Sequence, residues 1–214
     1  MIDIKTFYFN ELRECCYVVW DQTKECVIID PGCYSKNEQE RLKKFIEEKD
    51  LKPVKLLLTH GHFDHVMGNA FVSKTWDIKT YVHPNDIDQI KNASQYCAMF
   101  GYNIEEPPSD TVDLKEGEDV TFGASILHVI YTPGHTQGGV CFYNEGNKVL
   151  FTGDTLFAGS IGRTDHPGGN YEQLLDNIFK KIVILPSDTV ILPGHGPASE
   201  IGIEVKSNPF LQPY

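Results

Sequence analysis

Six residues, His60-Gly61-His62-Phe63-Asp64-His65, place three imidazoles and a carboxylate in one HxHxDH segment. The segment follows Val54-Lys55-Leu56-Leu57-Leu58-Thr59, an apolar run that reads as a buried strand. Imidazole and carboxylate are the ligands preferred by zinc and its divalent neighbours. A rigid strand end holds such groups in fixed geometry, which metal chemistry requires. A His-rich loop can also be a solvated turn, so the rest of the chain has to decide between the two.

Three further segments decide it. Thr132-Pro133-Gly134-His135-Thr136 places a histidine after the stretch Ile126 to Tyr131. Leu150-Phe151-Thr152-Gly153-Asp154 ends in a carboxylate, and Ile191-Leu192-Pro193-Gly194-His195-Gly196 carries another histidine. Each ligand-capable residue follows a β-rich run and comes with glycine, which permits close backbone approach or positive φ. His60, His62, Asp64, His65, His135, Asp154 and His195 therefore read as one constructed site. Seven ligands exceed what one four-coordinate ion uses, which points to two adjacent ions.

These residues, together with Ile28-Ile29-Asp30-Pro31-Gly32, resemble the metallo-β-lactamase fold superfamily. Within it they are most similar to compact glyoxalase II-like, or hydroxyacylglutathione hydrolase-like, hydrolases. The resemblance spans nearly the whole chain. It implies an α+β fold, an αββα sandwich of two mixed β-sheets flanked by helices, with metals at one edge. It implies that one ion takes His60, His62 and His135, that a second takes Asp64, His65 and His195, and that Asp154 bridges them. Zinc is the first expectation, with iron or manganese as alternatives. Asp64 and Asp154 are the expected catalytic carboxylates, and a hydroxide between the ions is the expected nucleophile. The implied substrate is a small-molecule acyl thioester of the S-lactoylglutathione type. A mononuclear iron persulfide dioxygenase using His60, His135 and Asp154 is the alternative. A nuclease and a non-enzymatic metal-binding protein rank lower, and true β-lactamase activity is disfavoured.

Residues flanking the motifs carry two readings each. Asp30 either accepts a hydrogen bond from a ligand imidazole and so fixes it, or is a turn residue before Pro31-Gly32. Arg163, in Gly162-Arg163-Thr164-Asp165, either binds a substrate carboxylate or pairs with Asp165 to shape the loop. His83 and His128 match no ligand motif and read as packed or surface groups. His166 also matches none, but it lies beside the Arg163 loop.

A chain of 214 residues can form one domain with a substantial core, and no linker divides it. The expectation is a single domain over residues 1–214, without the C-terminal helical domain that holds glutathione in larger glyoxalase II enzymes. The net charge of −11 speaks against a nucleic-acid partner. No signal-like or membrane-length apolar run is present, so no membrane partner and a cytoplasmic location are expected. The six cysteines contain no CxxC pair and read as reduced thiols. The oligomeric state has no signature in the sequence.

Patterning gives the elements in outline. Tyr17 to Trp20 and Cys26 to Asp30 read as a hairpin, and Ser35 caps a helix through Lys49. Helices are expected over Val66 to Trp76, most of Pro84 to Met99, Tyr171 to Ile184, and briefly after Pro197. Strands are expected at Thr80 to Val82, Val120 to Phe122, Ile126 to Tyr131, Gly139 to Tyr143, Val149 to Phe151 and Val190 to Leu192. The acidic stretch Tyr102 to Asp113, with its Pro107-Pro108, reads as a loop. Tyr17 to Asp30 and Val140 to Asp154 are both strand–turn–strand units ending in Asp, which suits two similar halves.

Overall fold

A computed structural model describes residues 1–212. The first half of the chain builds a six-stranded sheet from β1 (Asp3–Phe9), β2 (Glu14–Trp20), β3 (Glu25–Ile29), β4 (Lys52–Leu57), β5 (Thr80–Val82) and β6 (Thr111–Asp113), in that order. Its first two pairings are antiparallel and its last three parallel. The second half supplies β7 (Asp119–Phe122), β8 (Ser125–Tyr131), β9 (Val140–Asn144) and β10 (Val149–Gly153). A small hairpin of β11 (Leu156–Phe157) and β12 (Ser160–Ile161) follows, and then β13 (Val190–Pro193) and β14 (Ser199–Glu200). The second sheet runs β14-β13-β10-β9-β8-β7 and is also mixed, because β10 pairs with β13 in parallel.

The period of two along each strand explains how the sheets stack. Tyr17, Val19, Val27, Ile29 and Leu57 point into one cluster with Phe122, Val129, Phe142 and Phe151 of the other sheet. The alternate residues Cys16, Val18, Cys26, Ile28 and Leu56 face outward, against Leu42 and Ile46 of α1 (Lys36–Glu48) and Val72. On the opposite side, Cys141, Tyr143, Leu150 and Ile191 pack against Leu174, Ile178 and Ile201. Strands covered on both faces need near-continuous apolar sequence, which is what β2, β3, β9 and β10 have. The result is helix, sheet, sheet, helix, as the sequence led us to expect.

Several elements differ from their expected form. The helix placed over Val66 to Trp76 is two: α2 (Phe63–Val66) begins inside the motif, and α3 (Asn69–Trp76) follows after a break. The mostly helical stretch resolves into a 3-10 turn at Pro84–Asp86, α4 (Ile87–Lys91) and α5 (Ala93–Met99). The loop expected through Asp113 ends earlier, because Thr111–Asp113 pairs with β5 to close the sheet edge. The helix at Tyr171 is α only through Asn177 (α6, Tyr171–Asn177) and continues as a π turn, Ile178–Ile182. α7 (Ile201–Ser207) is the short helix near the end of the chain. Ser35 does cap α1, with a reciprocal capping box to Glu38. All six cysteines are buried and unbridged. Among the described residues no helix is long and apolar enough to cross a membrane.

The inter-sheet layer should be the main source of stability. Phe151 is fully buried there, edge-on to Tyr17 at 5.2 Å between ring centroids. Phe151→Ala should cost about 3–5 kcal/mol in urea unfolding. A loss under about 1 kcal/mol would mean that the two sheets are not packed as described.

Candidate metal centre

The site lies where the ends of five strand-to-loop segments meet. Asp30 follows β3, His60 to His65 follow β4, His135 follows β8, Asp154 follows β10, and His195 follows β13. Ligands commonly collect at the carboxyl ends of strands in such sheets. The two halves are stitched at this edge by backbone bonds, Val140 N to Thr59 O at 2.8 Å and Cys15 N to Gly194 O at 2.7 Å. Gly153 is required by its surroundings. Its φ is +47°, and a Cβ there would come within 2.3 Å of Thr59 Oγ1.

Hydrogen bonds to the imidazoles decide which nitrogen each presents, with protons assigned from the partner atoms. Thr59 donates its one hydroxyl proton to Asp30 Oδ2 at 2.6 Å, since a carboxylate only accepts. Its oxygen is then the acceptor for His60 Nδ1–H at 3.0 Å. His65 Nδ1–H donates to Asp30 Oδ2 at 3.1 Å. His135 Nδ1–H donates to the Arg163 carbonyl at 2.7 Å, and His195 Nδ1–H to the Leu12 carbonyl at 3.2 Å. In the neutral form of each of these four rings the lone pair is therefore on Nε2. His62 is turned the other way, with Nδ1 facing His60 Nε2 at 3.1 Å and His135 Nε2 at 2.8 Å.

Two groups of ligand atoms result. His60, His62 and His135 form an all-nitrogen triad whose ligand atoms lie within 4.8 Å of one another, and Asp64, His65 and His195 form a second triad of the same size. Asp154 sits between them. Its Oδ1 lies 3.5 Å from His65 Nε2, while its Oδ2 lies 3.5 Å from His135 Nε2 and 3.9 Å from His195 Nε2. Asp154 Oδ1 is buried and has no hydrogen-bond partner. Lone pairs converging at about 3 Å repel unless positive charge lies among them, and a buried orphan carboxylate oxygen has the same need. The donor set therefore fits divalent cations of the zinc, iron and manganese kind. Asp30 also lies within reach of His60 and His65, but its oxygens are taken by Thr59 N, Thr59 Oγ1 and His65.

The electrostatics of the triads differ. Burial pushes His60, His62 and His135 below the usual imidazole pKa, which favours their neutral, lone-pair-bearing forms. At His65 burial acts the same way, but Asp64, Asp154 and Asp30 outweigh it and raise the imidazole to about 10. His195 is raised too, its burial offset by the hydrogen bond to Asp64. Asp64 is lowered despite its own burial, chiefly by His65. The carboxylates thus draw protons onto the second triad, and a divalent cation would displace those protons.

Asp30 does both things its sequence context allows. It takes a left-handed turn conformation, φ +49°, and its carboxylate fixes His65. The Arg163 guanidinium forms a two-pronged pair with Asp165, 2.8 and 3.1 Å, inside its own exposed loop. What reaches the site is its carbonyl. His166 lies edge-on to His62 and His135, 4.8 and 5.0 Å between ring centroids. His83 stacks on Tyr131 and His128 pairs with Asp119, both outside the triads. Three contributors had no motif to mark them: the Leu12 carbonyl, Asp86, and Glu14. Glu14 is wholly buried, and that burial, with Asp30 and Asp64 nearby, raises its carboxyl well above the usual range. Aromatic side chains flank two of the ligand-bearing segments. Phe63 stacks on exposed Phe100 at 4.9 Å, and Phe157 lies 6.5 Å from His195.

Comparison with known proteins agrees with this architecture. The profile of the metallo-beta-lactamase superfamily matches residues 12–195. A protein described as hydroxyacylglutathione hydrolase GloC, from Haemophilus influenzae, is 38% identical over 213 residues, covering 98% of each chain. Among solved structures, the B3 metallo-beta-lactamase BLEG-1 superposes with a TM-score of 0.89 at 35% identity, covering 99% of this chain and all of its own. TTHA1623, solved in a di-iron-bound form, gives 0.87 at 36% identity, covering 97% of this chain and all of its own. The chain is a member of the metallo-beta-lactamase superfamily, in which it is a metallohydrolase.

Proposed function

We propose that this protein hydrolyses acyl thioesters of the glutathione type with two divalent cations per chain. The observation that carries the reading is Asp154, one carboxylate placed between two complete triads. Similarity to the Haemophilus hydroxyacylglutathione hydrolase supports the substrate class. Bound divalent cations lower the pKa of water and polarise a carbonyl. His60, His62 and His135 would hold one cation, and Asp64, His65 and His195 the other. Asp30 and the Arg163 carbonyl keep His65 and His135 in register for this work. Thioester hydrolysis adds water across the C–S bond and releases a carboxylic acid and a thiol. Phe157, 6.5 Å from His195, and Phe63, between His62 and Asp64 in the chain, offer apolar surface for part of such a substrate. Zinc is the cation proposed here, and iron is the alternative that the di-iron neighbour supports. Reduced, buried cysteines suit the cytoplasmic setting we propose.

Two expectations follow from the ligand geometry and the side chains that flank it. Asp154→Ala should weaken metal binding at both triads, whereas His65→Ala should mainly weaken the second. Metal titration distinguishes them, and equal losses in both variants would remove Asp154 from its shared position. The side chains flanking the ligands are aromatic, and the Arg163 guanidinium is already paired. Discrimination between a glutathione ester and a truncated thiol ester of the same acyl group should therefore be modest. The ratio of kcat/KM should stay under roughly a hundredfold, about 2.7 kcal/mol. A larger ratio would reveal a dedicated glutathione grip. Persulfide oxygenation with one iron per chain and no thioester turnover would replace the proposal with the dioxygenase reading.

A further inference from the structure

The first triad is assembled from loops that belong to different sheets. His60 and His62 follow β4 in one sheet, and His135 follows β8 in the other. A third element lies between these loops. Asp86 ends the 3-10 turn Pro84–Asp86 and is fully buried. Its Oδ2 accepts from Gly61 N at 2.9 Å and from Thr136 Oγ1 at 2.7 Å, and its Oδ1 accepts from Gly138 N at 2.6 Å. Gly61 lies between His60 and His62, and Thr136 is adjacent to His135. One carboxylate therefore grips both ligand loops without touching a ligand ring. The approach is close enough to dictate sequence, because a Cβ at Gly138 would lie 2.5 Å from Asp86 Cγ.

We propose that Asp86 is a positioning residue that sets the spacing of His60 and His62 from His135 and thereby the affinity of the first triad for its cation. The second triad has its own counterpart in Asp30, which reaches His65 from the end of β3. Three donors on one buried carboxylate are charge-assisted hydrogen bonds, the strong kind. An asparagine in the same place cannot replace them. If its oxygen takes the two donors at the Oδ2 position, its NH₂ is left facing Gly138 N–H, and in the flipped orientation it faces Gly61 N–H. Either way at least one of the three bonds is replaced by two opposed N–H groups, at almost constant volume. The proposal takes the two-triad reading of the site as its basis.

The test measures zinc affinity of each triad separately, by competition with a chelating dye, on the full chain. His65→Ala leaves the first triad intact. Adding Asp86→Asn to it should raise the zinc dissociation constant at least about tenfold, in the range typical for groups that orient ligands. His60→Ala leaves the second triad, where adding Asp86→Asn should change the constant less than about threefold. An unchanged first triad overturns the proposal. So does an equal loss in both backgrounds, which would show general destabilisation. If Asp86→Asn does not fold, Thr136→Val removes one of the three donors and leaves the carboxylate satisfied by the other two. Zinc affinity in the His65→Ala background should then weaken at least about threefold, and parental affinity would overturn the proposal. The number of zinc ions held by the unsubstituted chain is a separate readout. A ceiling of one contradicts the two-ion function but leaves the affinity comparisons valid.

Discussion

The centre depends on how each imidazole is held from behind. Four histidines donate Nδ1–H to a fixed oxygen: Thr59 Oγ1 for His60, Asp30 for His65, the Arg163 carbonyl for His135 and the Leu12 carbonyl for His195. Those bonds choose the tautomer, aim Nε2 inward and bring lone pairs together that would otherwise separate. The acceptors come from four distant parts of the chain, so the site exists only when both sheets are in place. Asp154 then completes the arrangement, its carboxylate lying within 3.5 Å of a nitrogen from each triad.

The sheets deliver this because their strand ends coincide. Residues that alternate along β2, β3, β9 and β10 fill the inter-sheet layer on one face and the helical layers on the other. A one-residue slip in any of them would exchange the faces and move the loop beyond it. The register is therefore paid for by apolar burial, and the polar centre at the edge inherits its precision from that packing. The close contact of Gly153 with Thr59, where no side chain could fit, is one point at which the two halves meet tightly beside the centre.

Much of this was legible in the sequence, for physical reasons that differ by element. The seven ligand-capable residues stand out because each closes an apolar run, and buried strands write such runs plainly. β1 does not. Its inner face is apolar only near Ile2 and Ile4, and its outer face only at Phe7 and Phe9, so no single period of two is sustained. β6 has three residues and a polar sequence, and only its pairing with β5 makes it a strand. The holding groups were the least visible. A backbone carbonyl such as that of Arg163 has no residue-type signature, and the side chain that drew notice there points to Asp165 instead. Asp86 is a lone carboxylate in a short turn, with partners far away in sequence, and only the folded chain shows what it joins.

The functional reading rests on two cations sharing Asp154. Diffraction from zinc-loaded crystals, with anomalous differences collected at the zinc edge, tests that most directly. The account predicts two peaks, one among His60 Nε2, His62 Nδ1 and His135 Nε2 and the other among Asp64, His65 Nε2 and His195 Nε2, with the Asp154 carboxylate touching both. A single peak, or two peaks of which only one touches Asp154, would contradict it.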